Sequence, residues 1–268
     1  MAIVQAMRRA IASLILLSAL ATAPSARAGA AQCWYENGAL VVPAALGDIA
    51  GDFILDVSAP RSALHNTIAQ GAGIEGDAFE ADLRIAGERL KSFTMAVEDL
   101  DARSVGFDTT INGVIGADVL QRFVVEIDFD PCRVAFHRRA PDRRAGAGRL
   151  RVSRAAGVPV VEATAFDGVR ARRGLFAIDT ASAGVRLDPE ETSFSRPLPL
   201  GVDPTLRHRP PARLAALSLA GRVFPRTPAG LLETPAPGLT GAIGDAVWSH
   251  YRMRLNLKAG WLELEPVR

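Results

Sequence analysis

Gly174-Leu175-Phe176-Ala177-Ile178-Asp179-Thr180-Ala181-Ser182 is an apolar run closed by an aspartate and three small residues. The first half of the chain holds a counterpart, Gly51-Asp52-Phe53-Ile54-Leu55-Asp56-Val57-Ser58-Ala59. Working outward, Gly113-Val114-Ile115-Gly116 follows the first aspartate and Gly241-Ala242-Ile243-Gly244 follows the second. Each motif leads into a short helical segment, Gly116 to Arg122 or Gly244 to His250. Alternating apolar residues come next, Phe123, Val125 and Ile127 against Tyr251, Met253, Leu255 and Leu257, the period of a half-buried strand. Val41-Val42-Pro43 and Val158-Pro159-Val160 open a strand ahead of each aspartate. Ile85-Ala86-Gly87-Glu88 and Leu219-Ala220-Gly221-Arg222 read as matching hairpin tips. Landmarks repeated in one order at similar intervals identify a tandem duplication.

The duplication divides the chain into an N-terminal lobe, 29–137, a basic connector, 138–154, and a C-terminal lobe, 155–268. The connector is rich in Arg, Gly, Ala and Pro and has no apolar period. The stretch from Pro197 to Pro211 carries five prolines, which argues against regular structure inside it. Both lobes read as β-rich, with a further helix expected over Ser62 to Gln70. Asp118 and Asp245 sit at helix starts and read as N-terminal acids rather than catalysts.

Residues 1–28 have the form of an export signal. Arg8 and Arg9 supply the positive region, Ala10 to Thr22 a short apolar stretch, and Ala26-Arg27-Ala28 a small-x-small cleavage pattern. The alternative is a retained anchor. Beyond the leader no stable membrane insertion is expected, and the protein is read as periplasmic or secreted. Cys33 and Cys132 form a candidate disulfide in an oxidising compartment, the other possibility being two buried thiols. With 49% hydrophobic and 22% charged residues, the composition is that of a folded globular chain. The formal net charge of +2 gives no case for a nucleic-acid or membrane-surface partner.

One carboxylate in a turn is commonly only a turn-former. Two related by a duplication can meet across a pseudo-twofold axis and share one proton. The ionised partner then activates water, and the protonated one polarises a carbonyl and later protonates the leaving amine. The paired motif resembles that of the pepsin and retropepsin aspartic proteases, and the resemblance spans about Leu40 to Pro266. It looks like a bacterial retropepsin-like member with both lobes on one chain. The resemblance implies an all-β acid-protease fold, two pseudo-twofold-related lobes with short helices, and no cofactor. It implies Asp56 and Asp179 as the catalytic pair, with Gly113, Gly116, Gly241 and Gly244 packed beneath them. It places Ala86 and Gly87 in a flap over a polypeptide substrate, with the Gly221 hairpin as its counterpart.

The loops around the aspartates depart from that pattern. Val57 stands where the family has Thr or Ser, so it cannot make the cross-loop hydroxyl bond. Ser58 and Ala181 stand where the family has Gly, whose N–H reaches the carboxylate. Ala59, Thr180 and Ser182 complete the loops, and Thr180 keeps the family type. An alternative reading is therefore a catalytically impaired peptide-binding protein of the cell envelope. A third is an envelope assembly factor using only its β surface. His65, His137, His208 and His250 are scattered, so no metal site is expected. No Gly-x-Ser-x-Gly elbow or glycine-rich phosphate loop occurs. Trp34, Trp248 and Trp261 read as core residues rather than ligand platforms.

Overall fold

The computed structural model describes residues 29–142, 146–194, 212–232 and 236–267, so the leader 1–28 and the proline-rich stretch 197–211 lie outside it. After β1 (Ala30–Gln32), the first lobe runs through β2 (Trp34–Glu36), β3 (Ala39–Leu46), β4 (Ile49–Leu55), β5 (Ala63–His65), β6 (Ala78–Ile85), β7 (Glu88–Glu98) and β8 (Ile111–Ile115), followed by β9 (Val124–Phe129) and β10 (Cys132–His137). The second lobe begins with β11 (Gly148–Arg151), β12 (Ser153–Ala155), β13 (Val158–Phe166), β14 (Ala171–Ile178) and β15 (Val185–Leu187). It continues through β16 (Ala212–Arg213), β17 (Ala216–Leu219), β18 (Arg222–Pro225), β19 (Pro228–Leu231), β20 (Gly241–Ile243), β21 (Tyr251–Asn256) and β22 (Trp261–Pro266).

The two lobes repeat one topology. The first sheet has the order β2-β3-β4-β8-β5-β7-β6, and the second contains β19-β15-β20-β14-β13-β17. In each, the strand of the glycine motif lies between the strand before the aspartate and the strand after it. The pairing is parallel on one side and antiparallel on the other, for β8 as for β20. Phe53 and Phe176, at equivalent positions, are fully buried in the main core. Burying a side chain of that size contributes about 2–3 kcal/mol. The architecture is an all-β, two-lobe pepsin-like fold with a few short helices.

A third, six-stranded sheet, β1-β10-β9-β21-β22-β11, joins the lobes. Its central pair crosses between them, Ile127 opposite Met253 and Val125 opposite Leu255. Buried charges are paired within it: Arg254 bonds Glu126 at 2.7 Å and Glu263 at 3.3 Å, and Arg149 bonds Glu263 at 2.6 Å. Cys33 and Cys132 form a disulfide beside this sheet.

Three expectations need correction. Within the segment 138–154, β11 pairs with β22 and β12 begins at Ser153, so the connector is partly built into sheets. Ala63–His65 is a strand, because it pairs with both β7 and β8, and the helix covers only Asn66–Gly71. The Ala86-Gly87 turn is not a flap. Ile85 pairs with Ala44, and Ala44 with Gly51, at the far end of β4 from Asp56. Five residues of strand separate the two places, about 16 Å. Ala86 is only 7% exposed, packed toward Gly29. The Gly221 turn, by contrast, is exposed.

Candidate active site

Asp56 and Asp179 each follow a strand that ends beside its glycine motif. The Asp56 N–H donates to the Ile115 carbonyl at 3.0 Å, and the Asp179 N–H to Ile243 at 3.0 Å. The four glycines of the paired motifs are required by contact rather than by backbone angle. A Cβ on Gly113 would lie 2.3 Å from the Ala63 carbonyl, and one on Gly241 2.3 Å from the Arg186 carbonyl. A Cβ on Gly116 would lie 2.8 Å from the Ala59 carbonyl, and one on Gly244 2.3 Å from that of Ser182.

The loops are tied to each other across the lobes. The Thr180 hydroxyl accepts from the Val57 N–H at 3.1 Å and donates to the Leu55 carbonyl at 2.6 Å. Val57 is buried and cannot return the bond, so Thr180 carries the side-chain half of the tie alone. The Leu40 N–H adds a backbone bond to the Thr180 carbonyl. Ser58 and Ala181 replace glycine without losing the amide contacts. The Ser58 N–H reaches the Asp56 carboxylate at 2.7 Å, and the Ala181 N–H reaches Asp179 at 2.9 Å. Neither residue has a positive φ, so the added Cβ is accommodated without left-handed backbone. Hydroxyls complete the shells: Ser58 donates to Asp56 at 2.6 Å and Ser182 to Asp179 at 2.8 Å. The Ala59 N–H also faces Asp56, at 3.2 Å. Ala59 and Ala181 share one small apolar cluster that crosses between the lobes.

Both carboxylates are also ion-paired with arginine. Arg103, on the short helix Asp101–Ser104, bonds Asp56, and Arg186, on β15, bonds Asp179. Asp56 and Asp179 are 2% and 1% exposed. Burial opposes the charge on Asp56, but the Arg103 guanidinium and the Ser58 bonds outweigh it and hold the carboxyl below the usual carboxylate range. The helix carrying Arg103 is itself anchored, with Asp101 Oδ1 3.2 Å from His65 Nε2.

Sequence reasoning misses both arginines. Arg103 lies in a connection without periodicity, where nothing marks it. Arg186 does carry a signal. It is a charged residue inside the apolar strand Val185-Arg186-Leu187, seven residues after its aspartate, where the first lobe has Ala63.

Asp118 fits the helix-start reading, accepting from the Ser62 N–H at 2.9 Å and the Ser62 hydroxyl at 2.6 Å. Asp245 does not. Its carboxyl is buried, 1% exposed, and neither oxygen has a hydrogen-bond partner among the described residues. Burial first, then the charges of Asp179 and Asp56, push it well above the usual carboxylate range. Tyr35 lies at the same place: burial, Asp245 and Asp179 all raise its hydroxyl, although 47% of the residue is exposed. Trp248 is fully buried, its indole donating to the Ile243 carbonyl beneath the second loop. Trp34 and Trp261 are half-buried.

No protein-family model and no curated protein sequence matches the chain. Among solved structures it is similar to the crystal structure of the aspartic proteinase from Irpex lacteus, with a TM-score of 0.58 and 10% sequence identity. The match covers 89% of this chain and 97% of that one. At that identity the likeness is one of fold.

Proposed function

We propose that the protein is an aspartic-type endopeptidase that hydrolyses extended polypeptide at an Asp56/Asp179 pair, and that the ion pair to Arg103 must open before it turns over. The observation carrying this reading is the duplicated carboxylate. Two buried aspartates sit in equivalent loops, each held by a backbone amide and a serine hydroxyl, with the loops tied through Thr180. In the proposed reaction one carboxylate removes a proton from water as the water attacks the peptide carbonyl. The other supplies a proton to the carbonyl oxygen, and the pair then protonates the departing amine. Arg103 competes with this chemistry, because a carboxylate bonded to a guanidinium is a poor proton carrier. Asp56, once released, is the carboxyl that supplies the proton, and Asp179, still bonded to Arg186, takes the proton from water. Its side chain is partly open to solvent and rides on a four-residue helix, whereas that of Arg186 is enclosed. Arg103 is therefore the arginine a substrate would displace. The disulfide and the apolar leader fit a role outside the reducing cytoplasm.

A second reading is favoured by the same ion pairs together with Val57: a peptide-binding relative with no turnover. Cleavage of an unfolded protein substrate, followed across acid and neutral pH, separates the two. The peptidase reading expects cleavage that falls at least about a hundredfold in both Asp56→Asn and Asp179→Asn. Peptide binding with no cleavage at any pH establishes the second reading in its place.

A further inference from the structure

The internal duplication supplies its own control for Asp245. In the first lobe the equivalent position is Ala117. The two backbones are held alike: the Ala117 N–H donates to the Ala59 carbonyl at 2.8 Å, and the Asp245 N–H to the Ser182 carbonyl at 2.9 Å. Both residues are buried. The fold thus builds this corner once with a methyl group and once with a carboxyl, so the carboxyl is not needed to make the corner. It is also costly where it stands, since a buried polar group without a partner loses its hydration for nothing.

The charged and titratable groups around it come from five elements. Asp56 and Asp179 lie on the two loops and Tyr35 on β2; behind the two aspartates stand their own partners, Arg103 on the helix Asp101–Ser104 and Arg186 on β15. Both arginines are already committed to Asp56 and Asp179. Neither bonds the Asp245 carboxyl, and a third anion here would face two others uncompensated.

We propose that Asp245 is a positioning residue which holds the proton of the resting site, staying neutral while Asp56 and Asp179 stay bonded to their arginines. The proposal rests on the peptidase reading of the same site. An ordinary aspartate pair shares its proton between its own two carboxyls. Here each of those carboxyls bonds a guanidinium, and the proton resides one residue beyond the second glycine motif. As Asp245 ionises with rising pH, a further charge without a partner enters the buried corner. Asp245 thereby sets the upper pH boundary of the resting arrangement.

The test compares the full chain with Asp245→Asn and Asp245→Ala, the latter copying the first lobe's Ala117, in urea unfolding from pH 4 to pH 8. A carboxyl raised in the folded state contributes stability that is complete below its unfolded value and is lost as pH climbs toward the folded one. The wild-type unfolding equilibrium constant should therefore rise relative to that of either variant, by up to about tenfold per pH unit over that window. Parallel curves for all three proteins would overturn the proposal. Carbon-13 NMR of aspartate carboxyls is the second readout. One carboxyl titrating above the usual range and absent from Asp245→Asn supports the proposal, and loss of a signal titrating in the ordinary carboxylate range overturns it. Neither readout needs turnover. Lack of cleavage by the wild type would count against the peptidase reading and leave the pH dependence to judge Asp245.

Discussion

Replacing Thr180 by valine removes one hydroxyl and almost no volume. That hydroxyl is fully buried and serves two backbone groups of the opposite lobe, the Val57 N–H at 3.1 Å and the Leu55 carbonyl at 2.6 Å. Thr180→Val leaves both without this partner in a place water does not reach. An orphaned buried polar group costs roughly 1–3 kcal/mol. One such penalty in full and part of a second give a loss of about 3 kcal/mol. No cavity contribution is expected, because valine matches threonine in shape. With a urea slope of about 3 kcal/mol per molar, the unfolding midpoint falls by about 1 M. Tryptophan fluorescence follows the transition, since the Trp248 indole donates to the same Ile243 carbonyl that accepts the Asp179 N–H. Thr180→Ser, which keeps the hydroxyl and loses a methyl, should fall by about 1 kcal/mol. Hydrogen exchange at the Val57 amide should quicken in the valine variant and not in the serine one. A midpoint within about 0.3 M of wild type, with Val57 protection unchanged, would refute the claim that this single hydroxyl joins the loops.

Gly241→Ala should cost about 3 kcal/mol, because the new Cβ meets the Arg186 carbonyl at 2.3 Å, and thermal unfolding measures it. Replacing Cys33 and Cys132 together by serine should destabilise by about 4 kcal/mol, since the bond closes a loop of 99 residues, as denaturant titration in oxidised and reduced buffer would report. Arg103→Ala leaves Asp56 without its cation and should cost about 3 kcal/mol at neutral pH. Asp56 is depressed in the folded state, so its contribution is present above the unfolded carboxylate value and fades as pH falls below it. The stability gap between wild type and Arg103→Ala should accordingly narrow below about pH 4. If the gap stays constant down to about pH 2, the ion pair does not hold Asp56 ionised.

Much of this fold is legible because it is written twice. The paired aspartates, the paired glycine motifs and the alternating strands after them all fall where the repeats predict. Glycines that permit close backbone approach leave a mark in sequence, and the contacts at Gly113 and Gly241 show that the mark is steric. What escapes the sequence is tertiary. The Ala86-Gly87 pair signals a tight turn, and both residues do have positive φ. Which end of a hairpin faces a cleft is set by register against β3, and no local pattern records it. The strand Ala63–His65 reads as helix because the neighbours that make it a strand, β7 and β8, are distant in sequence. Arg103 reaches Asp56 across 47 residues of chain. Asp245 shares with Asp118 a place at a helix start, and there Asp118 behaves as expected. Burial and the absence of a partner separate the two.

The central claim is that Asp56 and Asp179 act together on a peptide bond in one cleft. Its most direct test is a crystal structure with a short peptide carrying a hydroxyl-bearing isostere of the tetrahedral intermediate. The hydroxyl should lie within hydrogen-bond distance of both carboxylates, with Arg103 departed from Asp56. A peptide bound elsewhere, or bound with the Arg103–Asp56 pair intact, would contradict it.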